Sequence, residues 1–293
     1  MNGRGTAPLN EGADAPANTL ADTLVPDRRL VRAERHEVGA RVDSVECVIE
    51  EVPVALVYNG ISHAVMLASP SDLDDFGLGF SLAEGILESP RELYEVEVEA
   101  GEQGIEVRML IASARFAQLK ARRRSLTGRT GCGLCGVDSL AVAVREPAPV
   151  SRRQPIAMDA IVRAQAALRP WQDLHRATHA AHAAAWADTE GQVLLVREDV
   201  GRHNALDKLI GALASDGVDT STGFALVTSR ASVELVQKAA SAGIGLLVAI
   251  SAPTALAIAL AERSHLSLVG NTRADRLTCY SHGQWLLADR AQA

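Results

Sequence analysis

QVLLVREDVGRHNALDKLIGAL (192–213), GFALVTSRASVELVQKAASAG (223–243) and IGLLVAISAPTALAIALAERS (244–264) share one layout in three different sequences. Each opens with a near-continuous apolar run, passes through a short polar turn, and continues with helix-forming residues. An unbroken apolar run belongs to a strand buried on both faces, and alternation with helices predicts an α/β fold with a largely parallel or mixed sheet. LSLVGNTRADRLTCYSH (266–282) supplies one or two closing strands.

In such sheets ligands bind beyond the carboxyl ends of the strands. Four consecutive strand ends fall at Arg197 to Asn204 (including His203), Ser229-Arg230, Ser251 to Thr254, and Asn271-Thr272-Arg273-Ala274-Asp275-Arg276. Hydroxyls, guanidiniums and free helix N-terminal amides gathered there suit a phosphate-bearing ligand. Serine and threonine at these points can equally be helix caps. Arginine is harder to explain that way, because it has no acceptor.

The rest of the chain is mixed. Residues 1–26, rich in Gly, Ala, Pro, Asn and Asp, read as a disordered tail. Residues 27–150 read as a smaller α+β region, and 151–293 as the α/β region. Between Val42 and Leu67 short apolar runs are broken by Pro53 and by Asn59-Gly60, a hairpin signal. Ser71 with Asp72, Asp74 and Asp75 predicts a capped helix start, and Tyr94 to Ile111 another strand pair. A helix is expected from Met158 to about Leu168. The alanine-rich LHRATHAAHAAAW (174–186) reads as a helix with His175, His179 and His182 on one face.

The chemistry concentrates in TGRTGCGLCGVDS (127–139), where glycines frame Cys132 and Cys135. Such a pair has three readings. It can be half of a zinc site completed by distant histidines or by Cys47 and Cys279, a redox dithiol, or a sulfur or acyl carrier in which one thiolate is the nucleophile. Arg122 to Arg124 and Arg129 favour a thiolate. A net charge of −7 gives no reason to expect nucleic-acid binding, and four cysteines in 293 residues are no disulfide scaffold. No signal-peptide core is visible, and the apolar window 244–261 is interrupted by Ser251, Pro253 and Thr254. A cytoplasmic protein without membrane spans is expected.

The blocks REDVGRHNALDKLIG (197–211), SRASVELVQKAASAGI (229–244) and SAPTALAIALAE (251–262), with TGCGLCG, EVPVALVYNG (51–60) and DLDDFGLGFSLAEGIL (72–87), resemble the FdhD family, the sulfurtransferase accessory proteins of formate dehydrogenases. The resemblance covers nearly everything after residue 40. It implies a cytidine deaminase-like fold, usually homodimeric, without zinc chemistry. It further implies a sulfur carrier that accepts a persulfide from a cysteine desulfurase and passes the sulfur to bis-molybdopterin guanine dinucleotide, destined for the formate dehydrogenase catalytic subunit. GDP-like nucleotides would mimic that ligand. By position Cys132 would carry the persulfide with Cys135 assisting, Asn271 to Arg276 would bind the cofactor, and His182 would match a family histidine. A non-catalytic cofactor chaperone, with the cysteines as a contact or zinc site, is the alternative. Two positions depart from the family pattern. Asn271 stands where an aromatic residue is usual, and His179-Ala180 where relatives carry a glycine pair.

Overall fold

The structure is a computed structural model that describes residues 25–127, 146–151 and 154–287. Nearly all of the expected tail, and the whole Cys132–Cys135 motif, lie outside the described residues. The first elements, β1 (Arg28–Glu37) and β2 (Ala40–Ile49), pair antiparallel as a two-stranded ribbon. A four-stranded sheet follows, built from β3 (Val52–Tyr58), β4 (Ile61–Ala68), β5 (Leu93–Gly101) and β6 (Gly104–Ile111) in the order β4-β3-β6-β5. The Asn59-Gly60 signal holds, since both residues take positive φ (46° and 81°) between β3 and β4. Asn59 also donates to Ile111 O and accepts from Ile111 N, tying the turn to β6.

One face of this sheet is covered by α1 (Leu73–Ala83), whose Phe76 and Phe80 join Val54, Leu56, Tyr58, Val107 and Met109 in one core. The expected Ser71 cap is absent. Asp72 is the N-cap, in the left-handed region at φ 51°, and it makes no side-chain cap hydrogen bond. Its neighbours explain this, because the acidic turn faces Arg197 of the second sheet. Helix α2 (Ser113–Thr127) leads away toward the cysteine segment.

The second sheet follows a short strand β7 (Ile156–Ala157), helix α3 (Met158–Ala167) and helix α4 (Asp173–Thr178). It comprises β8 (His182–Asp188), β9 (Val193–Asp199), β10 (Gly223–Val227), β11 (Leu246–Ala249), β12 (Ser267–Gly270) and β13 (Thr278–Ser281), in the order β13-β12-β11-β10-β8-β9. Strands β10, β11 and β12 are parallel, while β8 and β13 run against their neighbours. The three repeated units are therefore β9–α5 (Arg202–Ser215), β10–α6 (Val233–Ser241) and β11–α7 (Ala255–Arg263). The apolar window 244–261 splits into β11 and α7, and among the described residues no helix is long and apolar enough to cross a membrane. A terminal strand, β14 (Leu286–Leu287), pairs with β7.

The alanine-rich segment corrects the expected helix. It stops at Thr178, His179 takes φ 57°, and His182–Asp188 forms a strand between β9 and β10. Alanine favours helix only weakly, and tertiary context overrides that preference. Here Ala183 to Ala187, four alanines and Trp186, are buried in the middle of the sheet, with Ala184 and Trp186 in the core on one face and Ala185 and Ala187 in the core on the other. His175, His179 and His182 accordingly do not share a helical face.

The two sheets are joined by α1 lying directly on α5. A Cβ built on Gly79 would stand 1.7 Å from Asp207 O, and one on Gly211 1.9 Å from Asp75 O. Only glycine admits backbone contact this close. Around the crossing, Arg197 pairs with Asp75 at 2.7 Å, and Lys238 reaches Glu84 at 2.9 Å and Asp207 at 3.0 Å. Arg197 thus faces the interior joint and not the strand-end ligand edge assigned to it from sequence.

Candidate functional site

Strands β9 to β12, read along the sheet, all point the same way, so their carboxyl ends share one edge. Strand β8 runs in the opposite direction and begins at that edge, with His182 paired to Asp199 across the ladder. His182 therefore reaches the predicted site from a strand start. The edge also collects His203, Ser229, Arg230, Ser251, Thr254 and the segment Asn271 to Arg276.

Several of these side chains are committed to the protein. Thr254 Oγ1 accepts from Ala257 N and caps α7, as the simpler reading had it. Thr272 is fully buried and donates to Ala249 O, so it anchors the 271–276 loop to β11. Ser229 is buried and donates to Arg230 O, while Ser229 O accepts from Ser251 N. Asn271 sits at φ 52° and donates through Nδ2 to Tyr280 Oη at 2.6 Å. The aromatic ring beside this position comes from β13, because Tyr280 Cε2 lies 3.2 Å from the site of a Gly270 Cβ. Ala274, Asp275 and Arg276 are exposed.

The arginines behave differently here. Most described arginines elsewhere are ion-paired to a carboxylate. Arg202, Arg230, Arg273 and Arg276 have no carboxylate partner among the described residues, and Arg273 donates only to Ile250 O and Thr272 O. Two helices begin beside them without a side-chain cap, α5 at Gly201 and α6 at Ser232. The unused N–H groups of a helix start and the dipole behind them attract anions, and guanidiniums add bidentate donors. The Ser232 hydroxyl, free of capping, meets His203 Nε2 at 3.2 Å, and that nitrogen also lies 2.9 Å from Glu234.

Burial, helped by the charge of Arg202, holds both histidines below their ordinary pKa, against Asp199 at His182 and against Glu234 at His203. Near neutral pH these rings are uncharged and can accept or donate a proton.

Sequence reasoning put Asp199 inside the Arg197–Asn204 strand end but gave no role to this residue, which organises the edge. Asp199 is fully buried, and it binds the turn that follows β9 as well as the end of β4. Arg202 and Asn204 fell in the same stretch without an assigned role, and Ser69 and Lys208 were missed. The REDVGRHN run contained the signal, since Asp-x-Gly before a helix often marks a side chain bonded to its own backbone.

No group of three or more His, Cys, Asp or Glu arranged to hold a metal ion occurs among the described residues, and Cys47 and Cys279 are separate free thiols. A cavity of about 570 Å³ lies away from this edge, lined by Leu82, Leu87, Pro147, Leu213, Val218 and Ala242. It borders the ends of α5 and α6, and none of the strand-end residues contributes to it.

The FdhD/NarQ family profile matches residues 49–287. The chain belongs to the FdhD/NarQ family. It is 54% identical over 265 residues to the sulfur carrier protein FdhD of Cupriavidus necator, covering 90% of this chain and 92% of that one. It is 55% identical over 270 residues to the protein of the same name from Variovorax paradoxus, covering 92% and 95%. Among solved structures, a formate dehydrogenase accessory protein from Desulfotalea psychrophila superposes with a TM-score of 0.70 at 22% identity, over 89% of this chain and 100% of that one. That likeness extends the shared fold to a distant sequence. With family membership established, the α/β architecture is the FdhD/NarQ architecture, and its strand-end edge gathers four arginines without a carboxylate partner among the described residues.

Proposed function

We propose that this chain is a sulfurtransferase that carries sulfur on Cys132 as a persulfide and delivers it to bis-molybdopterin guanine dinucleotide, for use by a formate dehydrogenase. The observation that carries the reading is the single sheet edge where Arg202, Arg230, Arg273 and Arg276 lack carboxylate partners beside two uncapped helix starts. A dinucleotide pyrophosphate needs that kind of donor set. The names of the relatives, sulfur carrier proteins, supply the other half.

The chemistry follows from the thiol pair. The Cys132 thiolate takes the terminal sulfur from the persulfide of a cysteine desulfurase, which regains its own thiolate. Attack of the Cys135 thiolate on the Cys132 sulfur expels the outer sulfur as hydrosulfide and leaves a disulfide, which a cellular dithiol returns to two thiols. The roles assigned to the acceptor edge are separate. Arg230, Arg273 and Arg276 neutralise phosphate, His182 and His203 hold or give a proton, and Ser229, Ser251 and the Asn271–Thr272 backbone frame the ligand. Tyr280 offers a ring where Asn271 has none. The working form is a cytoplasmic homodimer.

Incubation with a cysteine desulfurase and cysteine should add one sulfur to the intact protein, and Cys132→Ala should abolish the addition. Equal labelling of that variant would sink the carrier assignment. Formate dehydrogenase activity sustained by a Cys132→Ala, Cys135→Ala variant would favour a cofactor chaperone instead. Calorimetry with GDP should show weaker binding to Arg273→Ala and Arg276→Ala, and unchanged affinity removes those residues from the site.

A further inference from the structure

We infer that Asp199 is the positioning residue of the acceptor edge, fixing the first turn of α5 and with it Arg202 and His203. The inference rests on the reading above only for the identity of the ligand. Asp199 Oδ1 accepts from Gly201 N at 2.7 Å and from Asn204 Nδ2 at 3.0 Å. Oδ2 accepts from Ser69 N at 3.0 Å and pairs with Lys208 Nζ at 2.7 Å. Both Asp199 and Lys208 are fully buried.

Four donors converge on two oxygens, which matches the acceptor capacity of an ionised carboxylate and of no other side chain of that size. An asparagine would turn an NH₂ group against either Gly201 N–H or the Ser69 and Lys208 donors, whichever way it flipped.

The same cluster binds two parts of the chain far apart in sequence. Asn204 Nδ2 also donates to Leu67 O at 2.8 Å, Val200 N donates to Ser69 Oγ at 3.0 Å, and Lys208 Nζ donates to Ser69 O at 3.0 Å. The end of β4 is thereby locked to the turn between β9 and α5. The turn has no spare room, since a Cβ on Gly201 would lie 2.8 Å from Asn204 Nδ2. Arg202 begins the helix immediately after it, and His182 stands opposite Asp199 across the ladder. Asp199 itself is sealed from any ligand, so it acts through these neighbours.

The test uses Asp199→Asn and the milder Ser69→Ala, which removes only the acceptor for Val200 N–H. Hydrogen exchange on the full chain without ligand reads the turn, and calorimetry with GDP reads the edge. In folded Asp199→Asn, amides 200–204 should exchange about tenfold faster while those of α7 stay near wild type, and GDP affinity should fall about tenfold, equivalent to about 1.4 kcal/mol. Ser69→Ala should shift both readouts in the same direction by a smaller factor. A folded Asp199→Asn with unchanged exchange at 200–204 overturns the inference, as does faster exchange with unaltered GDP affinity. Should Asp199→Asn fail to fold, Ser69→Ala decides by the same criteria. Should the wild-type chain not bind GDP, the nucleotide reading of the edge falls, and the exchange measurement alone decides the role of Asp199.

Discussion

Replacing Gly211 by alanine sets two effects of opposite sign against each other. In an exposed helix interior the change stabilises by about 1 kcal/mol. Here the new Cβ would stand 1.9 Å from Asp75 O, where ordinary contact begins near 3.4 Å, so α1 and α5 must part by about 1.5 Å. The obstruction is backbone and cannot rotate away. Overpacking of this kind costs about 1–3 kcal/mol. Parting also stretches the bonds beside the crossing, Arg197 to Asp75 at 2.7 Å and Lys238 to Glu84 at 2.9 Å, beyond hydrogen-bonding range. Hydrogen bonds to charged groups contribute about 1.5–3 kcal/mol each. A net loss of about 3–8 kcal/mol is expected, and even the lower figure lowers Tm by roughly 6–12 °C in a chain of this size. Urea and thermal denaturation followed by circular dichroism measure it. A Gly211→Ala protein as stable as the parent, or more so, means that helix propensity has won and that the helices do not meet backbone to backbone.

Further outcomes follow from single side chains. His179 holds a left-handed conformation (φ 57°) at the end of α4, so His179→Gly should stabilise by about 1 kcal/mol or leave stability unchanged, and a loss above that size in denaturation would contradict the assigned turn. Burial pushes the carboxyls of Asp75 and Asp207 up to about 6, against Arg197 and Lys238 respectively, and carbon-detected NMR should find carboxyl midpoints there and not below 4. Because these folded-state values lie above the unfolded one, the stability from the two groups is full below about pH 4 and is lost as pH rises through about 6. Lys238→Met strands Asp207 without its cation, so it should destabilise by about 3–5 kcal/mol at pH 7 and by less at pH 5, where Asp207 is protonated. A loss independent of pH would show that Asp207 is neutral throughout.

The strand–turn–helix units were legible because each combines a buried apolar run with a turn and a helix inside about twenty residues, all local information. The edge they form followed from the same units. What could not be read was anything set by distant partners. The strand β8 is written in alanines that favour helix locally, and it is extended because β9 and β10 flank it. Arg197 looked like a ligand donor until Asp75, 122 residues away, accounted for it. Asp199 carried no assigned role because Ser69, 130 residues away, gave no local sign of its approach. Thr254 shows the converse, with a hydroxyl that accepts from Ala257 N three residues on, as sequence could suggest, whereas Thr272 reaches Ala249 O, 23 residues away on β11.

The shared direction of β9 to β12 gives the sheet two unequal ends. The connections from α5, α6 and α7 back into β10, β11 and β12, including the Asp216–Thr222 turn after α5 and the Ala242–Gly245 turn after α6, lie at the end remote from Arg202 and Arg273. Gly217 there has nothing within 4 Å of a would-be Cβ. That end is where the chain tolerates added length, so an affinity tag or reporter inserted at Gly217 leaves the other end free to be assayed.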